Sequence, residues 1–169
     1  MTSRICILGI DPGSRVTGFG VIVQDGRRWL HVDSGVIRTK GSDFHARLRT
    51  IHAAAADLFI QHEPDELAIE SVFVSANASS ALKLGAARSA VLCASFAFGT
   101  EIHEYAPRAI KQAIAGNGAA DKAAVQQMVR LQLTGAPKNL PHDVSDALAI
   151  ALCHAHSRRV RQVASEVGA

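Results

Sequence analysis

Between Arg4 and Ile10 the chain runs Ile5-Cys6-Ile7-Leu8-Gly9-Ile10 without a polar side chain, and Asp11-Pro12-Gly13 stops it at once. A half-exposed strand alternates apolar with polar residues, so a run this short and this continuous is a strand covered on both faces. The rest of the chain has to supply both covering layers. Thr17 to Gln24, rich in Val, Ile and Phe, is the second strand, and Asp25-Gly26 closes it with a hairpin signal. Arg28 to Ile37 completes an antiparallel meander. From Ser42 to His62 the period changes, with Phe44, Leu48, Ile51, Ala55 and Leu58-Phe59 recurring at helical spacing.

Glu66 to Glu70 is short and apolar behind a proline-containing turn, which makes it a central strand reached by a helical crossover. Ser79 to Phe98 is an Ala, Ser and Leu-rich helix stopped by Gly99. Ile102 to Tyr105 is a further strand. Pro107 opens one helix in the position proline favours, Asp121 caps another running to about Leu133, and Pro141 introduces the last, ending near Arg158-Arg159. This order predicts an α/β fold with a mixed five-stranded sheet and helices on both faces. One domain spanning 1–169 is expected, with about 158–169 as a flexible basic C-terminal tail.

With 169 residues, 48% of them hydrophobic, the chain can fill one core. Its apolar stretches are broken by charge or glycine within about 18 residues, so no membrane helix is expected. The first residues lead directly into a strand and not into a cleavable signal, which points to the cytoplasm. Cys6, Cys93 and Cys153 lie in apolar surroundings with no close pair and are expected as buried free thiols. A net charge of +3 suits a polyanionic partner without demanding one.

Four acids carry the functional reading. Asp11 follows the buried strand, at the carboxyl edge where ligands of open α/β sheets gather, and Glu70 ends a second central strand. If those strands are neighbours, the two carboxylates converge, an arrangement that a divalent cation between them resolves. Asp143 and Asp146, three residues apart near the start of the last helix, share one face. Magnesium takes a few carboxylate oxygens plus waters, and two such ions roughly 4 Å apart serve in-line phosphoryl displacement. Taken singly, each acid has a plainer account: Asp11 as a turn residue, Glu70 as a solvated strand end, and the helical pair as partners of a helix dipole.

The segments Ile7-Leu8-Gly9-Ile10-Asp11-Pro12-Gly13, Thr17-Gly18-Phe19-Gly20, Ala68-Ile69-Glu70-Ser71-Val72-Phe73, Leu82-Lys83-Leu84-Gly85 and Asp143-Val144-Ser145-Asp146-Ala147-Leu148-Ala149 together resemble the RuvC family of Holliday junction resolvases. The resemblance runs in order from about Ile5 to about His156. It implies a ribonuclease H-like fold, a homodimer, and a structure-specific endonuclease that nicks two strands of four-way junction DNA symmetrically in recombination and repair. It further implies Mg2+ as cofactor, two ions per subunit with Mn2+ as a substitute, 5′-phosphate and 3′-hydroxyl ends, and work beside a RuvA–RuvB branch-migration complex.

Residue by residue, the resemblance puts the catalytic metal ligands at Asp11, Glu70, Asp143 and Asp146, and DNA contacts at Phe73, Lys111 and Lys122. Some relatives carry histidine in place of the first acid of the helical pair. Here that place is Asp143, and His142 just before it is read as an outer group and not as a ligand. The helix over Ser79 to Phe98, with Ala81, Gly85, Ala86, Ala87, Ser89 and Ala90, is the candidate two-fold interface. Three competitors remain: a fragment of an actin-like or sugar-kinase-like ATPase, a non-catalytic junction binder, and a ribonuclease H-like nuclease with another substrate.

Overall fold

The opening apolar run becomes strand β1 (Cys6–Asp11), and it takes an interior place in a sheet of order β5-β4-β1-β2-β3-β6. The computed structural model describes residues 4–72 and 77–167, with 162–167 as helical backbone. Strands β2 (Val16–Asp25) and β3 (Arg28–Arg38) follow β1 as an antiparallel meander through the turn at Gly26, whose φ of 59° is one that glycine adopts without strain. Helix α1 (Phe44–His62) is capped by the Asp43 carboxylate, which accepts from the His45 amide at 2.9 Å. It crosses to β4 (Glu66–Glu70), which pairs parallel with β1.

Helix α2 (Ala78–Ser95) leads through a single 3-10 turn at Phe96–Phe98 to β5 (Glu101–Tyr105), parallel to β4. Helices α3 (Pro107–Ala115) and α4 (Lys122–Gln132) precede the two-residue strand β6 (Leu133–Thr134) and the long helix α5 (His142–Val167).

Alternation along β1 feeds two cores. Ile7 packs with Val129, Leu148 and Ala151 beneath α3, α4 and α5, while Leu8 and Ile10 pack with Ile51, Phe59 and Val91 beneath α1 and α2. All of these side chains are fully buried, and each Val, Leu, Ile and Phe among them contributes about 1.5–3 kcal/mol. Helix α5 sits unusually low on the sheet because glycines lie under it. A Cβ on Gly9 would collide with the Ala147 carbonyl oxygen and lie 2.8 Å from the Ala151 methyl, and one on Gly18 would collide with the Asp143 carbonyl oxygen. Two missing side chains therefore bring the start of α5 down onto the end of β1.

Several expectations are corrected. Among the described residues the sheet has six strands, not five: Leu133 and Thr134 pair parallel with Trp29 and Leu30 at the start of β3, a contact too short to leave any periodic pattern. Helix α5 does not end at Arg158-Arg159 but continues to Val167, since neither Gly nor Pro occurs between Pro141 and Gly168. The long helix after Ser79 tightens into the 3-10 turn at Phe96 before Gly99, whose φ is 65°. Of the cysteines, Cys153 is buried and Cys6 half-buried, but Cys93 is exposed on α2. Ala78–Phe98 is long and apolar enough, by length and composition, to cross a membrane, although it carries Lys83 and Arg88 and buries Ala87, Val91 and Ala94 against the core.

Candidate active site

The turn after β1 is built by a side chain. Thr17, fully buried, donates its hydroxyl to the Gly13 carbonyl at 2.8 Å and accepts the Gly13 amide at 3.2 Å, closing Asp11-Pro12-Gly13 against β2. On the neighbouring strand, the Ser71 amide and hydroxyl both donate to the Tyr105 carbonyl, at 2.9 and 3.2 Å, and so fix the end of β4 to β5. The parallel register Ile10↔Ile69 then brings Asp11 beside Glu70. Both occupy the α5 side: Asp11 continues the Ile7 and Gly9 face of β1, and Glu70 the Glu66 and Ala68 face of β4.

Opposite them, the first turns of α5 contribute Asp143 and Asp146. Asp11, Glu70 and Asp146 line one cavity of about 250 Å³ with Lys111 of α3 and Lys122 of α4, walled by Pro107, Ile110, Val125 and Ala149. Asp143 stands one turn earlier, outside that lining but near enough for its charge to act on Asp11. Lys122 reaches Asp146 with Nζ 3.4 Å from Oδ2, so this lysine is half of an ion pair and not simply a solvated side chain, although two thirds of it stays exposed. His142, the first residue of α5, is exposed. Phe73 lies outside the described residues.

The electrostatics of the cluster are those of acids held too close together. Burial, then the charges of Glu70, Asp146 and Asp143, push the Asp11 carboxyl up to about 7, with Lys122 pulling the other way. Glu70 is raised as well, by burial first and then by Asp146, against Lys122 and Lys111. Two lysines do not neutralise the group, and its all-carboxylate donor set fits a hard divalent cation such as magnesium. Sequence reasoning missed Thr17 and Ser71 as the residues that position the acids. Both stand inside segments already singled out, but only the hydrogen bonds reveal their work.

A three-stranded meander extended on one side by two parallel strands, with acids at the carboxyl ends of the neighbouring interior strands β1 and β4 and on a helix laid across them, is a ribonuclease H-like nuclease fold. The family model described as crossover junction endodeoxyribonuclease RuvC matches residues 7–154. A protein of that description from Photobacterium profundum is 52% identical over 155 residues, spanning 90% of this chain and 88% of the relative. One from Citrifermentans bemidjiense is 46% identical over 162 residues, spanning 95% and 98%.

Among solved structures, Thermus thermophilus RuvC in complex with a Holliday junction substrate superposes with a TM-score of 0.85 at 35% identity, covering 92% of this chain and 96% of that one. The yeast mitochondrial Holliday junction resolvase Ydc2, 13% identical with a TM-score of 0.68, shares the fold. The chain belongs to the RuvC family of crossover junction endodeoxyribonucleases.

Proposed function

We propose that this chain resolves four-way DNA junctions as a homodimer, each subunit nicking one of two symmetric strands at the Asp11 cluster, with two magnesium ions held by Asp11, Glu70, Asp143 and Asp146. Manganese can stand in for magnesium, because both accept the same oxygen donors. The observation that carries the reading is the convergence of Asp11, Glu70 and Asp146 in one cavity, where burial and then the neighbouring carboxylates hold Asp11 near 7. When bound, the ions lower the pKa of a water for attack on phosphorus and stabilise the departing 3′ oxygen, leaving 5′-phosphate and 3′-hydroxyl ends.

The chain's own residues orient and neutralise. Asp11 and Glu70, fixed through Thr17 and Ser71, present oxygens from a rigid sheet edge, and Asp146 faces them from α5. Lys111 and Lys122 flank the cavity and meet the incoming phosphate, with Lys122 exchanging its contact to Asp146 for the DNA backbone. Phe73, three residues past Glu70, is assigned to stacking on bases at the crossover, worth about 1–3 kcal/mol.

Helix α2 is assigned to the two-fold interface. Leu82 is 75% exposed on it, and among the described residues nothing stands within 4 Å of where a Cβ on Gly85 would lie, so another backbone could approach closely. The enzyme would act in the cytoplasm on junctions delivered by a RuvA–RuvB branch-migration complex, as the family likeness suggests.

Cleavage of a synthetic four-way junction, beside linear duplex of the same sequence, tests the reading. Paired symmetric nicks in the junction alone, abolished by chelator and by Asp11→Asn while junction binding survives, are expected. Unchanged cleavage by Asp11→Asn would remove the assignment, and equal cutting of linear duplex would favour a different ribonuclease H-like nuclease.

A further inference from the structure

Beneath the same helix, toward the opposite end of β4, lies a second cluster of metal-ligating side chains that the nuclease mechanism does not use. Glu66, the first residue of β4, is buried against α5. Its Oε2 is 2.5 Å from Nε2 of the fully buried His154, and its two carboxylate oxygens lie 2.8 and 3.0 Å from Nε of Arg158. The other ring nitrogen of His154, Nδ1, meets the Tyr105 hydroxyl at 2.6 Å. His103 of β5 stacks on His154 with ring centroids 4.1 Å apart. One ligand atom each from Glu66, His103 and His154 falls within 4.8 Å of the others.

A closed Glu66–His154–Arg158 network satisfies three of these groups and leaves His103 outside it. Nε2 of His103 is enclosed and, among the described residues, makes no well-formed hydrogen bond; the exposed Glu101 carboxylate lies 3.1 Å from it as an ion-pair contact. An enclosed polar atom without a well-formed hydrogen bond leaves a place for a water or an ion. Two imidazoles and a carboxylate are the donor set that suits zinc and not magnesium. Zinc bonds of about 2.0–2.2 Å bring neighbouring ligand atoms to roughly 3.4 Å, so the atoms close by about 1.5 Å and the His103 ring, stacked face to face on His154, turns its edge to the ion.

The surroundings match this use. Tyr105 holds the far nitrogen of His154 as an outer partner holds a ligating histidine. Burial keeps that imidazole toward its neutral, ligating form. Burial alone would raise Glu66, but the hydrogen bonds from Arg158 and His154 carry it below its ordinary range, so it is ionised.

We propose that Glu66, His103 and His154 form a zinc-class metal site that clamps β4, β5 and α5 together. On loading, the ion takes the place at His154 Nε2 of the single proton that the neutral imidazole directs at Glu66 Oε2. That proton moves to Nδ1 by exchange with solvent and donates there to the Tyr105 oxygen, with no net proton release, while Arg158 stays on Glu66 and Glu101 is within reach as a further ligand. Glu66 and Glu70 are four residues apart on β4, roughly 13 Å along the strand, so this site is separate from the acid cluster but braces the elements that carry it.

The test is titration of the chelator-stripped full-length chain with zinc, and with cobalt as a visible-absorbing stand-in, in excess magnesium to fill the acid cluster. One equivalent of zinc, cobalt bands of a nitrogen-containing site and a raised melting temperature are expected. His103→Ala, at a partly exposed strand position, should weaken zinc binding roughly 100-fold or more, and Tyr105→Phe about 10- to 100-fold, with far-ultraviolet dichroism unchanged. Absence of nitrogen-coordinated cobalt bands in the unmutated chain, or zinc binding that His103→Ala leaves intact, overturns the proposal.

Discussion

Replacing Asp11 by asparagine should stabilise the metal-free protein, and by an amount that depends on pH. The Asp11 carboxyl sits at about 7 in the folded chain against an ordinary 3.8. A folded-state value raised above the unfolded one means that the native state binds the proton more tightly. The fold therefore keeps its full stability below about pH 4, loses it as pH rises toward 7, and does not recover it above. At about 1.4 kcal/mol per unit, roughly three units set a ceiling near 4 kcal/mol, and relaxation of a site open to solvent brings the expected gain to about 2–4 kcal/mol.

Asparagine removes the charge and keeps the shape. For a chain of this size that gain corresponds to a melting temperature about 5–15 °C higher in chelator at about pH 8, shrinking toward zero near pH 4. Scanning calorimetry across that range, with circular dichroism to confirm the fold, measures it. Magnesium should then raise the melting temperature of the unmutated chain far more than that of the variant. A variant no more stable than its parent at the higher pH, or equally stabilised at both ends of the range, would refute the claim that burial and crowded negative charge together disfavour an ionised Asp11.

Gly18→Val should drive a side chain into the Asp143 carbonyl, lift the start of α5, and destabilise by about 1–3 kcal/mol; junction cleavage measured well below the melting temperature should fall far more than the folded fraction does. Lys122→Ala should weaken junction binding and reduce the slope of log K against log salt by about 1, read from binding titrations at several salt concentrations. Glu63 is held at φ 43° in the left-handed region at the end of α1, so Glu63→Gly should stabilise by about 0.5–1 kcal/mol in denaturant unfolding while leaving cleavage unchanged.

Elements with a repeating pattern were legible from the amino-acid order. The unbroken apolar run before Asp11 foretells a strand covered on both faces, and the three-residue spacing of Asp143 and Asp146 foretells a shared helical face. What escaped has no local pattern. β6 exists only because Leu133 and Thr134 arrive beside Trp29 and Leu30, and two residues hold no period. The low seat of α5 depends on Gly9 and Gly18, which read as turn or strand-weakening residues until the helix above them is known.

Of the site, the acids could be named, but their adjacency hung on the conditional that β1 and β4 are neighbours, a matter of topology settled by the parallel pairing. Thr17 and Ser71 bond across turns and strands, and such partners cannot be inferred from spacing. The Glu66, His103 and His154 cluster draws on three elements up to 88 residues apart and left no trace in the sequence.

Proton release on magnesium binding tests the central electrostatic claim most directly. Calorimetric titrations in buffers of different ionisation enthalpy count the protons displaced. At about pH 6.5 the unmutated chain should release close to one proton as magnesium binds, falling toward none near pH 9, with Asp11→Asn binding weakly and releasing few at either pH. Tight magnesium binding with no proton release near pH 6.5, or undiminished binding by Asp11→Asn, would contradict it.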